Sequence, residues 1–144
     1  MSVREAHARW EGDLRQGKGT MRLGSGAWEG PYTFKSRFEE GPGTNPEELI
    51  GAAHAGCFSM AFSNMLAEAG HVPTRVQTRA RVHLEPVDGK PTISRVELET
   101  NGVVPGIDDA TFQDIAQKAK AGCPVSRALG GVQISVKATL ESVR

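Results

Sequence analysis

NPEELIGAAHAGCFSMAFSNMLAEAG, residues 45–70, is the stretch whose reading decides the fold. Asn45 suits a helix N-cap, Pro46 suits the first helical position, and Glu48 falls three residues after the cap, the pattern of a capping box. Glu47 and Glu48 sit where the positive end of a helix dipole favours carboxylates. Gly70, followed by Pro73, supplies the stop. Between these signals nearly every face is apolar or small: Ile50, Ala53, Cys57, Phe58, Met60, Ala61, Phe62, Met65 and Leu66. A helix that is greasy all round is expected to be buried all round. A chain of 144 residues rarely wraps a helix of this length alone, so part of its cover is expected from a second subunit.

Working outward, residues 1–40 hold short β-like pieces: Ala8 to Asp13, Gly19 to Leu23, and Tyr32 to Phe38. Gly17, Gly19, Gly24, Gly26, Gly30 and Pro31 punctuate them as hairpin turns would. After the helix, residues 75–85 alternate. Val76, Thr78, Ala80, Val82 and Leu84 face one way, and Arg75, Gln77, Arg79, Arg81, His83 and Glu85 the other. Asp88-Gly89 makes a turn and Ile93 to Thr100 returns as a second strand. Asp108 can cap a helix through Phe112, Ile115, Ala116 and Ala119 to Gly122. Pro124 restarts a short helix that Gly130-Gly131 ends, and Val132 to Leu140 is a final strand. The expected order is β-β-β-α-β-β-α-α-β. Strands cluster instead of alternating with helices, which reads as an α+β fold with antiparallel sheets packed on a central helix.

The length points to a single domain over residues 1–144. Hydrophobic residues make up 38% and aromatics 6%, so the core is expected to be aliphatic and small. Seventeen Lys plus Arg balance seventeen Asp plus Glu. This balance gives no reason to expect nucleic acid or an anionic membrane as partner. The start, MSVREAHARW, is charged and lacks the apolar stretch of a signal peptide. His54, Ser59, Ser63, Asn64 and Glu68 interrupt residues 49–69, which is read as no membrane span. The expected location is the cytoplasm, where thiols stay reduced.

Cys57 and Cys123 are the only cysteines. In a reducing compartment such residues are free core thiols, catalytic groups or metal ligands. Gly56 and the preceding alanines leave space near Cys57, which fits a bend or an approach channel. Cys123 precedes Pro124 and so falls at a helix N-cap, where the dipole and unpaired N–H groups favour thiolate; a thiol tucked inertly at a turn is the other reading. Arg37, in FKSRFEE (residues 34–40), and Glu47 could activate Cys57. By themselves both read as surface charges, and on one straight helix Glu47 lies roughly 15 Å from Cys57. His54, His71 and His83 make no metal spacing with the cysteines, and neither CxxC nor HExxH occurs. His54, three residues before Cys57, could pair with it on one helix face. Arg75, Arg79 and Arg81 read as a solvated basic strand face.

FEEGPGTNPEELIGAAHAGCFSMAFSNMLAEAG (residues 38–70) followed by KAKAGCPVSRAL (residues 118–129) resembles the OsmC branch of the OsmC/Ohr family of thiol peroxidases. The resemblance runs from ARWEGDLRQGKGT (residues 8–20) through VVPGIDDATFQDIAQKAKAGCPVS (residues 103–126). It implies an intertwined homodimer with active sites at the subunit interface. It also implies Cys57 as peroxidatic and Cys123 as resolving cysteine, Arg37 in the strand before the long loop, and Glu47 after the Asn-Pro pair. His54 has no catalytic role in that pattern and becomes structural. The implied activity is reduction of organic hydroperoxides, and more weakly hydrogen peroxide, in oxidative and osmotic stress defence. The expected partners are a hydroperoxide substrate and an external thiol donor of lipoyl or small type, with no metal, haem or flavin cofactor. Apolar walls from Phe58 and Met60 would favour organic substrates. Rival readings are a non-catalytic redox sensor, a small-ligand binder on the same fold, and a structural Cys57–Cys123 staple.

Overall fold

A computed structural model describes residues 2–142, so the outermost ends of the expected 1–144 domain lie outside the described residues. The chain forms two compact units, Met1–Leu49 and Ile50–Arg144.

In the first unit, β1 (Ala6–Glu11), β2 (Lys18–Leu23) and β3 (Glu29–Tyr32) make an antiparallel meander. Trp10 turns its indole N–H back onto the carbonyls of Gly12 and Asp13, both at 3.1 Å, and this fixes the β1–β2 turn. The sequence expectation fails at Tyr32 to Phe38. The strand ends at Tyr32, and Phe34–Phe38 is a short helix, α1. Phe34 and Phe38 are four apart, and an i, i+4 apolar pair satisfies both a strand and a helix pattern. The cap decides between them. The Thr33 hydroxyl accepts from Ser36 N–H at 3.1 Å and the Ser36 hydroxyl accepts from Thr33 N–H at 2.8 Å. The two rings then stack at 5.0 Å between centroids. Arg37 therefore projects from a helix and not from a strand.

The long helix α2 (Pro46–Glu68) starts where expected, with the Asn45 side chain accepting from Glu48 N–H at 2.7 Å. Glu48 does not return to the cap backbone as a capping box requires; its carboxylate accepts from the Thr44 hydroxyl at 2.8 Å. At the other end Gly70 takes φ +93°, and His71 N–H reaches Leu66 C=O at 2.9 Å, the Schellman closure. The expectation that α2 is buried all round is corrected. Within the second unit one stripe is buried, through Gly51, His54, Phe58, Phe62 and Leu66. Ala52, Ala53, Gly56, Met60, Asn64 and Ala67 stay exposed. By length and composition α2 could cross a bilayer, yet its aromatic stripe is taken up by the core of this unit.

That core rests on a sheet of β4 (Arg75–Val87), β5 (Lys90–Val103) and β6 (Gln133–Leu140). β4 and β5 form an antiparallel hairpin whose turn residues, Asp88 and Gly89, take φ +52° and +76°, as a type I′ turn demands. β6 departs from the antiparallel expectation and pairs parallel with β5. The crossover through α3 (Asp109–Gly122) and α4 (Pro124–Ala128) carries the chain back to the same end of the sheet, which is how a parallel neighbour is made. Gly51 approaches β4 so closely that an added Cβ would lie 3.3 Å from a Val82 methyl. The Ser59 hydroxyl donates to Thr78 Oγ1 at 2.7 Å. Phe62 sits between Phe58 and Phe112, with centroids at 5.5 and 5.1 Å, and Val96 and Leu98 of β5 share the same cluster.

Phe62 is fully buried and touches aromatic rings from α2 and α3. Phe62→Ala should therefore lower unfolding stability by about 3–5 kcal/mol in a urea titration. A loss below ~1 kcal/mol, the size of a surface substitution, would contradict this packing.

Candidate active site

The four residues singled out from sequence fall into two pairs, one in each unit. In the first unit, Ser36 and Asn45 lock α1 to the entry of α2. The Ser36 hydroxyl donates to Thr44 C=O at 2.7 Å, and the Asn45 amide donates to Ser36 C=O at 3.0 Å. This places Arg37 opposite Glu47, ten residues on. Arg37 Nη2 donates to Glu47 Oε1 at 2.7 Å, and Nε donates to Oε1 at 3.1 Å and Oε2 at 3.3 Å. The Glu47 side chain is 8% exposed and the Arg37 side chain 36%. The carboxylate is thus a buried anchor and the guanidinium a partly open cation, oriented over the Phe38 ring at 5.3 Å. Glu47 engages Nε and Nη2, leaving Nη1 for another acceptor. Glu47 is not the solvated surface charge that its type alone suggested, whereas Arg37 is exposed but held by it.

In the second unit, Cys57 lies half-buried on α2 and Cys123 is fully buried at the junction of α3 and α4; both are free thiols. Cys123 ends α3, donating its N–H to Ala119 C=O at 3.0 Å, and caps α4, where Pro124 takes the first helical position. Its sulfur accepts from Ser126 N–H and from the Ser126 hydroxyl, each at 3.5 Å. Each thiol bears on the other's ionisation. Burial pushes the Cys57 thiol up. The Val125 N–H works against that, but the neighbouring Cys123 adds to it. Burial also acts to raise Cys123, but donation from Ser126 N–H and Oγ–H, from the Cys57 thiol and from Val125 outweighs it and holds Cys123 below the ordinary thiol range. The thiolate-favouring cap expected for Cys123 is present.

His54 does not pair with Cys57 as one helix face would allow. It is fully buried, and its Nε2 lies 2.7 Å from Ser126 Oγ on α4. Burial depresses its basicity, so the ring is neutral. Ser126 is the residue that the sequence reading missed. Its signal was the spacing Cys123-x-x-Ser126, which puts an N3 hydroxyl one turn beyond a cap. Of the expected apolar walls, Phe58 is sealed in the core and Met60 is 77% exposed. On the strand face, Arg75 pairs with Glu141 at 3.0 Å and Arg79 with Glu99 at 2.7 Å, while Arg81 is exposed, so the basic row reads as the solvated face expected. Among the described residues no cluster of His, Cys, Asp and Glu is arranged to hold a metal ion. Two free thiols that bear on each other's ionisation can pass through a sulfenic acid to a disulfide, a two-electron cycle carried by the side chains themselves.

The OsmC-like protein family model matches residues 39–137. The chain is 55% identical over 127 residues to Peroxiredoxin OsmC of Escherichia coli strain K12, covering 88% of this chain and 89% of that protein. It is 35% identical over 101 residues to the Organic hydroperoxide resistance protein of Xanthomonas axonopodis pv. citri, covering 69% and 68%. An OsmC-like protein structure from Vibrio cholerae O1 biovar eltor superposes with TM-score 0.77 at 17% identity, covering 96% of this chain and 99% of that one, which is a likeness of fold. With most of its length matched and more than half of its aligned residues shared with the E. coli relative, the chain belongs to the OsmC-like protein family.

Proposed function

We propose that this protein is a thiol-dependent peroxidase that reduces organic hydroperoxides, and hydrogen peroxide more weakly, in oxidative and osmotic stress defence. The observation that carries this reading is the pairing of a half-buried, free Cys57 with a fully buried Cys123 whose sulfur is supplied with hydrogen-bond donors. The names of its relatives, Peroxiredoxin OsmC and Organic hydroperoxide resistance protein, support the same chemistry.

In this cycle the Cys57 thiolate attacks one peroxide oxygen. The S–O bond forms as the O–O bond breaks, and the other oxygen leaves as an alkoxide or hydroxide that takes up a proton. Cys57 is then a sulfenic acid. Cys123 attacks its sulfur, a disulfide forms and water leaves. An external dithiol, of small or lipoyl type, restores both thiols by exchange. Cys57 goes first because it is the thiol that solvent reaches. Its own surroundings raise its pKa, so it needs a cation. Arg37 is that cation: Glu47 fixes its plane, and its free edge stabilises the thiolate and the charge developing on the peroxide. What supports a dimer is the exposed side of α2, which carries Ala53, Gly56, Met60 and Ala67. A second copy covers that face, around a central helix shared by an intertwined homodimer, and the site is complete only there. We place the protein in the cytoplasm as a single functional domain, where a cycling thiol pair is kept reduced.

A second reading is favoured by one observation: Cys123 is the thiol whose sulfur accepts from Ser126 N–H and its hydroxyl, and could attack first. Single-residue variants separate the two. With cumene hydroperoxide and a dithiol, Cys57→Ser should lose all turnover. Cys123→Ser should consume one equivalent and leave a sulfenic acid that dimedone traps on Cys57. A trapped sulfenic acid on Cys123 in Cys57→Ser, with turnover retained, would reverse the roles.

Arg37→Ala should lower the rate of Cys57 oxidation by about 100-fold, the usual loss when one donor to developing charge is removed. Glu47→Gln should lower it by about tenfold, because the guanidinium keeps its charge and loses its orientation. The pH profile fixes the sign. Without Arg37, burial leaves Cys57 protonated at neutral pH, so oxidation by peroxide should climb through the alkaline range instead of levelling off near neutrality. An unchanged kcat/KM and pH profile in Arg37→Ala would remove Arg37 from the site.

A further inference from the structure

We infer that His54 and Ser126 form a donor chain onto the Cys123 sulfur and act as positioning residues for the disulfide-forming step. This rests on the reading of Cys123 as the resolving thiol, and neither residue has a part in the peroxide-cleaving chemistry above.

His54 is a polar side chain with no exposed surface, set in a stripe otherwise made of Gly51, Phe58, Phe62 and Leu66. Its sole hydrogen bond is from Nε2 to Ser126 Oγ at 2.7 Å, and Nδ1 is buried without a partner. A neutral imidazole carries one ring proton, whose site follows from its neighbours. A proton on Nδ1 would strand an N–H in the core, and a buried unpaired donor is the costlier orphan. It would also make Nε2 an acceptor, consuming the single hydroxyl proton of Ser126. A proton on Nε2 resolves both points. Nε2–H donates to Ser126 Oγ, and Ser126 Oγ–H is free to donate to Cys123 Sγ, 3.5 Å away.

The sequence spacing builds this chain twice over. His54 and Cys57 are three apart on α2, and Cys123 and Ser126 are three apart across the start of α4. One helix therefore presents the histidine and the attacked sulfur, and the other the attacking sulfur and its donor. The Ser126 N–H bond to Cys123 is fixed by the first turn of α4 and does not need His54. The hydroxyl does. A serine in a helix can turn its proton onto a preceding carbonyl, and an Nε2–H pressed onto the oxygen holds the proton on the sulfur side. Linked donors also polarise one another, so the bond to sulfur is stronger for having His54 behind it. The titratable groups acting on Cys123 are Cys57 directly and His54 through Ser126.

In the step itself, the Cys123 thiolate lone pair forms the S–S bond to Cys57, and the S–O bond of the sulfenic acid breaks. The oxygen leaves with that electron pair and combines with the proton that Cys123 gave up, so one water is released and no further oxidant is required. The chain stabilises the thiolate before attack. It neither donates nor keeps a proton at the end.

The test is a single-turnover experiment in which full-length protein is oxidised with one equivalent of cumene hydroperoxide. Cys57 oxidation and disulfide formation are followed separately by tryptophan fluorescence and quenched mass analysis. In Ser126→Ala and His54→Phe, the ratio of the disulfide-forming to the Cys57-oxidising rate constant should fall about tenfold, the effect of one hydrogen bond to a charged group. In a Cys57→Ser background, iodoacetamide alkylation of Cys123 should need a pH about one unit higher in those variants. His54→Gln, whose amide N–H can replace Nε2–H, and Ser126→Thr should recover most of both losses. A merely structural histidine would shift melting temperature without this rescue pattern or the alkylation shift. If His54→Phe fails to fold, Ser126→Ala and His54→Gln decide the matter. An unchanged rate ratio in Ser126→Ala overturns the chain, as does a loss in Ser126→Ala with none in either His54 variant. The reading beneath it fails differently: Cys123→Ser would still form no stable sulfenic acid, or would keep full turnover.

Discussion

Burial of one stripe of α2 sets the rest of the second unit. Gly51, His54, Phe58, Phe62 and Leu66 recur at the three- and four-residue spacing of a helix face, and each is closed off from solvent. The small Gly51 lets the helix approach β4, and the two phenylalanines reach Phe112 of α3. Because that stripe is fixed, Cys57, one position before Phe58, can only sit at its rim. There it is half-buried, within reach of solvent on one side and of Cys123 on the other. A shift of one residue in the stripe would seal the thiol in the core or move it out onto the open face. Reactivity of this cysteine is therefore a consequence of packing several residues away.

Most of this was legible because the signals were local. Asn45, Pro46, Gly70 and Asp108 marked helix ends through cap chemistry that depends on few neighbours, and residues 75–85 alternated cleanly. The misreadings have a common cause, which is that two structures shared one pattern. Phe34 and Phe38 fit a strand and a helix equally, and only the reciprocal Thr33–Ser36 bonds settle the matter. β6 alternates as any half-buried strand does, and nothing in its own residues says whether its neighbour runs parallel; the length of the crossover does. α2 was greasy on all sides, yet the chain by itself covers one stripe. Of the candidate site, residue types were visible but partners were not. Glu47 and Arg37 are ten residues apart, and His54 and Ser126 belong to different helices, so no window of sequence contains either contact.

The two thiols show how one pair of identical groups is made unequal. Both lose solvation, and that loss alone would raise both. Cys123 escapes because a helix start is a cluster of donors, and Ser126 adds a side-chain donor to the backbone one. Cys57 lies in the middle of α2, where every backbone N–H of the preceding turn is already spent on the helix. Its neighbour Cys123 is no help, since two facing thiolates repel. The asymmetry sorts the pair by function more than by raw acidity. The buried member is supplied with fixed dipoles at a helix start, whereas the accessible member in mid-helix has no such cluster of donors.

Glu47 is 8% exposed and grips two nitrogens of Arg37, so the guanidinium has a set orientation even though a third of the side chain meets solvent. An unpaired Arg37 would be free to turn toward water, and an unpaired Glu47 would be a buried charge without a counterion. Each residue is therefore held in place by the other. The same holds for His54 and Ser126, where a buried ring and a rotating hydroxyl are each indeterminate alone and fixed together. Arg37 with Glu47 in the first unit, and His54 with Ser126 in the second, are pairs that no single short motif encodes, and in each the orientation of one side chain is set by the other.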